Sequence, residues 1–195
     1  MIHGYDGDAL LLELEALSDA QCRAFAAACA ESLLLCYGST PAVSEGAGLA
    51  VCQQAVSLCW EVVERGIEVS GAVQPLLAEL EEVLSDDEEG DLGVLEHVIA
   101  GAYYALQCSQ EGDAGHAELT SKNLYEAADY LALSDGDIDL ADSNSGREII
   151  ASDVVQGALS AITYIRDLVI VRAFRGDDCA ADVSQVREFV ARMGG

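Results

Sequence analysis

Apolar residues recur along this chain at intervals of three and four, strand-like alternation is scarce, and only two prolines interrupt the pattern. That period puts side chains on one face of an α-helix. The chain therefore reads as all-α, a single compact bundle of about six to eight helices spanning residues 1–195 as one domain. Ser18-Asp19-Ala20-Gln21 has the form of a capping box, in which the serine hydroxyl takes an orphan backbone N–H and the glutamine reaches back. With Gly38 as a C-terminal stop, a helix is expected over about 19–37. Others follow over about 47–65, 75–84, 92–109, 117–133, 147–174 and 181–192, the third opened by Pro75 in its first turn. The short connection EGDAGH makes the fourth and fifth an antiparallel hairpin. No internal repeat and no linker divides the chain.

Within this pattern the cysteines raise a question. CRAFAAACAESLLLC places Cys22, Cys29 and Cys36 seven residues apart, and CQQAVSLC repeats the spacing at Cys52 and Cys59. Seven helical residues advance about 10.5 Å over nearly two turns, so these thiols share a stripe but stay far apart. A disulfide needs Cα atoms within about 7 Å, and a metal needs ligands that converge. Neither arises within one helix. Phe25 and Leu33 lie on the first stripe, Val56 and Val63 on the second, so the cysteines are expected to be small core hydrophobes. An odd total of seven argues against a complete disulfide framework.

Charge changes the picture most. The chain carries 35 acidic residues against 9 basic ones, a formal net charge of −26. Such a surface repels phosphate backbones, which excludes nucleic acid and anionic membrane as expected partners. The expected partner is a basic protein. Between Arg65 and Lys122 there is no Lys or Arg, yet thirteen Asp and Glu residues fall there. The densest stretch is LLAELEEVLSDDEEGDLG. On a helix opened by Pro75, Leu76, Leu77, Leu80, Val83 and Leu84 bury one side while Glu79, Glu82 and Asp86 point away together. Asp87, Glu88, Glu89 and Asp91 extend that negative face into the following loop. These seven residues are the candidate partner-binding site. The alternative reading of the acidity is solubility or adaptation to high salt.

Candidate chemistry is sparse. His3, His97 and His116 have no spacing that suggests a metal or a relay, and the Glu-x-x-His pair of di-iron bundles is absent. There is no glycine-rich phosphate loop and no Gly-x-Ser-x-Gly elbow, so no catalytic residue, metal or cofactor is expected. Asp135-Gly136-Asp137-Ile138-Asp139 begins like a calcium loop, but Leu140 stands where glycine must turn and Gly146 where a bidentate glutamate must ligate. A solvated acidic loop is expected instead. No apolar run reaches the ~18 residues of a membrane span, since Arg166 and Asp167 break ITYIRDLVIVRAF. MIHGYDGDALLLELEA lacks a basic leader, and a cytosolic location is expected.

LEALSDAQCRAFAAACAESLLLCY, LCWEVVERG, LEHVIAGAYYAL, HAELTSKNLYEAADYLAL and VREFVARMGG together resemble the YjaG-like family of bacterial helical proteins, a domain of unknown function. The resemblance implies a compact all-helical fold and hands over no catalytic residues. Greater acidity and a single lysine set this chain apart from that pattern. Two functions are compatible with these features. One is a cytosolic immunity protein or antitoxin that neutralises a basic toxin, such as a nuclease, through the acidic face. The other is a non-catalytic adaptor or homo-oligomer that docks through apolar side chains, with Trp60, Tyr103 and Tyr104 as candidate anchors.

Overall fold

The computed structural model describes residues 4–44, 48–65, 70–85, 92–135, 145–171 and 179–193. Among these residues there are ten helices and no strand: α1 (Gly7–Leu14), α2 (Asp19–Tyr37), α3 (Pro41–Ser44), α4 (Leu49–Arg65), α5 (Ser70–Ser85), α6 (Val94–Glu111), α7 (Ala114–Asp135), α8 (Ser145–Ala151), α9 (Asp153–Ile170) and α10 (Cys179–Met193). No helix among the described residues is long and apolar enough to cross a membrane.

The centre of the bundle is α2, which packs against α4, α6, α7, α9 and α10. Every residue from Ala24 to Ala30 is buried, so this helix has no solvent face over two turns. That is the expected fate of a helix apolar on all sides. Alanine and cysteine side chains on it let five neighbours approach closely. Its start is fixed by the expected capping box: Ser18 Oγ accepts from the Gln21 N–H at 3.4 Å and Gln21 Oε1 accepts from the Ser18 N–H at 3.0 Å. Gln21 Nε2 also donates to the Val169 carbonyl at 2.7 Å, tying the beginning of α2 to the end of α9.

The hairpin of α6 and α7 is the most closely packed pair, as its short turn requires. Gly112 ends α6 in the left-handed conformation, φ 70°, with its N–H on the Cys108 carbonyl at 2.7 Å. Glycine is needed there for two reasons. The positive φ disfavours any side chain, and a Cβ would come within 2.9 Å of Asp19 Cα. Asp113 then caps α7, its Oδ1 accepting from the His116 N–H at 3.0 Å.

Two expected helices differ most from those observed. Helix α5 begins at Ser70, not at Pro75. Val73, Leu77 and Leu80 form a buried i, i+4, i+7 stripe, and burying the first of them carries the helix upstream of a proline that faces solvent. The long helix expected over 147–174 is two helices, because Ser152 adopts an extended conformation (ψ 146°) and caps α9 with its hydroxyl on the Val155 N–H.

The cysteine stripes are core. Cys22, Cys29, Cys52, Cys59 and Cys108 are buried and unpaired, Cys36 is half-buried, and Phe25, Leu33, Val56 and Val63 are buried on the same stripes. The buried polar side chains Ser32, Ser109, Thr120, Ser121 and Asn123 each donate to a carbonyl of their own helix, at 2.6 to 2.9 Å. Each is satisfied within its own helix, and Ser121 Oγ also lies 2.9 Å from the Tyr5 hydroxyl.

Candidate functional site

The acidic face rests on α5, whose buried stripe docks against α4 and α6. Glu79 and Glu82 fall on the opposite side of that helix and are exposed, as their spacing requires. Neither carboxylate has an ion-pair partner among the described residues. Five described bases engage acids elsewhere: Arg65 with Glu61, Lys122 with Glu126, Arg166 with Glu13 and Asp167, Arg187 with Glu31, Arg192 with Glu188. Glu81 faces a different way, toward Tyr103 on α6, whose phenol is held above its usual value by burial first and by Glu81 and Tyr104 after that. Asp86, Asp87, Glu88, Glu89 and Asp91 lie outside the described residues. The structure thus displays the helical part of the candidate surface.

The other candidates are absorbed into packing. Trp60 is 2% exposed and is a core residue, not a free anchor. Its indole N–H donates to Glu31 Oε2 at 2.9 Å, and the Arg187 guanidinium lies 5.7 Å from its ring centre. Tyr103 and Tyr104 are half-buried and meet edge to face, with ring centres 5.5 Å apart. Tyr104 also stacks on His116. His97 packs beside Tyr130, its Nδ1 3.8 Å from Glu126 Oε2. Among the described residues no three His, Cys, Asp or Glu side chains converge on a point where a metal could sit. The loop tested as a calcium site falls largely outside the described residues, with Asp135 closing α7 and Gly146 near the start of α8.

Burial makes the thiols poor nucleophiles. It pushes Cys22 up to about 11, with Asp19 and Asp113 adding to the shift, and Cys52 and Cys59 up to about 12. Cys29, Cys36 and Cys108 are raised by the same cause. A reactive cysteine needs the opposite, a lowered value in an electropositive setting.

One surface feature was not anticipated from the sequence. A half-open cleft of about 660 Å³ lies along the first turns of α9, walled by Tyr37 from α2, Leu124 from α7 and Phe189 from α10. Its α9 side carries Asp153, Gly157 and Tyr164, and Tyr164 stacks on Phe189 with ring centres 3.8 Å apart. A second hollow, between α1 and α7, is polar, and its groups are already engaged: the Tyr5 hydroxyl donates to Glu118 Oε1 at 2.8 Å, and Asp6 caps α1.

The chain shares its fold with the crystal structure of a DUF416 family protein from Shewanella baltica OS155, at a TM-score of 0.74 and 18% sequence identity over 93% of each chain. No family model matches the sequence, and no curated protein matches it. At this identity the likeness concerns the fold.

Proposed function

We propose that this chain is a non-catalytic, cytoplasmic binding protein, an immunity protein or antitoxin that neutralises a basic toxin such as a nuclease. We include in the proposal its kinship with the YjaG-like helical family. One observation carries the reading: Glu79 and Glu82 stand exposed on the outer face of α5 without a counter-charge among the described residues. Ionised carboxylates held together repel one another, and a cationic surface relieves that repulsion. A groove that grips phosphates must be positive, so an array of carboxylates on a rigid helix can fill it in the place of phosphates. At a screening length of about 8 Å such a face acts on its partner at short range and speeds encounter.

The test is co-expression with a basic nuclease toxin found to bind the natural chain, comparing that chain with the pair Glu79→Lys and Glu82→Lys. Loss of protection, together with complex formation that weakens steeply with added salt, is expected. Undiminished protection by the charge-reversed chain overturns the mechanism. A complex insensitive to salt would replace it with the adaptor reading, in which apolar side chains dock.

A further inference from the structure

We propose that the cleft along α9 is a binding site for a small organic cation with an apolar, ring-bearing body. Its volume, about 660 Å³, lies within the ~300–1,000 Å³ typical of small-molecule sites. The room comes from the sequence of α9, which places Gly157, Ala158 and Ala161 where larger side chains would fill the space. A Cβ added at Gly157 would meet nothing within 4 Å. Aromatic rings supply the walls, and their faces attract cations as well as apolar groups.

Two polar groups define what enters. Among the described residues Asp153 is the one charged side chain lining the cleft, with no lysine or arginine beside it; its carboxylate is exposed and has no hydrogen-bond or ion-pair partner there. This carboxylate, exposed in the first turn of α9, repels an anion and attracts a cation. Tyr37 is only 5% exposed, yet its hydroxyl makes no hydrogen bond among the described residues. That oxygen is not sealed from solvent, so it can donate to a ligand in the cleft as it does to water. The negative field of the whole chain raises the local concentration of cations. This site is separate from the carboxylates of α5 and does not depend on the function proposed for them.

The test uses dansylcadaverine, a fluorescent ring system on a short primary amine, against its neutral N-acetyl derivative, at 0.15 M salt. The natural chain is expected to give a saturable, blue-shifted signal with one site, and to bind the acetylated probe about fivefold or more weakly. Gly157→Leu fills the cleft and should abolish the signal. Leucine favours helix over glycine, so loss of fold is not the cause. Asp153→Asn should bring the two probes to equal affinity, whereas the Glu79→Lys, Glu82→Lys pair should change nothing. Equal affinity for both probes in the natural chain, binding that survives Gly157→Leu, or no saturable binding overturns the proposal. So does capture of an amphipathic helical peptide by a cleft that ignores both probes, which would make it a protein-docking groove.

Discussion

Glu31 accepts the indole N–H of Trp60 at 2.9 Å with one carboxylate oxygen and holds the Arg187 guanidinium with the other, at 3.1 and 3.2 Å. This single acid, its side chain 15% exposed, joins α2, α4 and α10. Removing it leaves a buried indole donor without a partner. Glu31→Ala should cost about 2–3 kcal/mol of unfolding free energy, read from a urea titration, because a lost hydrogen bond to a charged group is compounded by the stranded N–H. Glu31→Gln keeps an acceptor and should cost less. Arg187→Ala removes a half-exposed ion pair and should cost under about 1 kcal/mol. Equal losses for all three would show that the carboxylate does not anchor the tryptophan.

The buried thiols give stability a definite response to alkali. Cys52 and Cys59 titrate near 9 in an unfolded chain and near 12 in the fold, where burial opposes the thiolate. Below pH 9 both states hold these protons and nothing is lost. Between 9 and 12 the unfolded chain releases them and the fold does not, so stability falls as pH rises, by about 1.4 kcal/mol per thiol per pH unit. Urea midpoints at pH 8 and pH 10 should therefore diverge more for the natural chain than for the Cys52→Ala, Cys59→Ala double variant. Identical divergence would place the titrating groups elsewhere.

Thiol labelling should follow burial. Of the six described cysteine side chains, Cys36 is half-buried and the rest are buried. A disulfide reagent under native conditions should modify Cys36 well ahead of the other five, and denaturant should release those together. Cys36→Ser should remove the early phase among these residues.

Two glycines should respond in opposite directions to the same change. Gly112→Ala forces a side chain into positive φ and toward Asp19 Cα, so a loss of roughly 1–3 kcal/mol is expected. Gly157→Ala sits inside α9 with open space around it, so a gain of about 0.5–1 kcal/mol is expected. Thermal unfolding of the two variants beside the natural chain decides both.

The net charge of −26 makes salt a stabiliser. Screening weakens self-repulsion in the compact state more than in the expanded chain. Raising sodium chloride from 10 mM to 0.5 M should lift the unfolding temperature by about 3 °C or more. A fall would mean that attractive ion pairs, such as Glu31 with Arg187, outweigh the repulsion.

The helices were legible because their signals are local. Ser18 with Gln21 at the third helical position satisfied both halves of a capping box, and the start of α2 was read directly. Ser152 caps α9 equally well, yet Val155 stands at the third helical position and cannot reach back, so only half the signal was present and the break was missed. Pro75 misled for a different reason: its local preference for a first turn lost to the burial of Val73 against neighbouring helices. The outward direction of Glu79 and Glu82 followed from spacing alone. The cleft could not be foreseen in that way, because its emptiness arises where Gly157 meets Tyr37, Leu124 and Phe189, residues from three other helices.

The place of α2 in the chain has a consequence for biosynthesis. All five helices that enclose it come later in the sequence, and α10 comes last. A ribosome that has reached residue 150 holds an alanine- and cysteine-rich cylinder still lacking two of its walls. Such a nascent chain is a natural client for a chaperone, and premature termination there would leave a sticky fragment instead of a smaller working one.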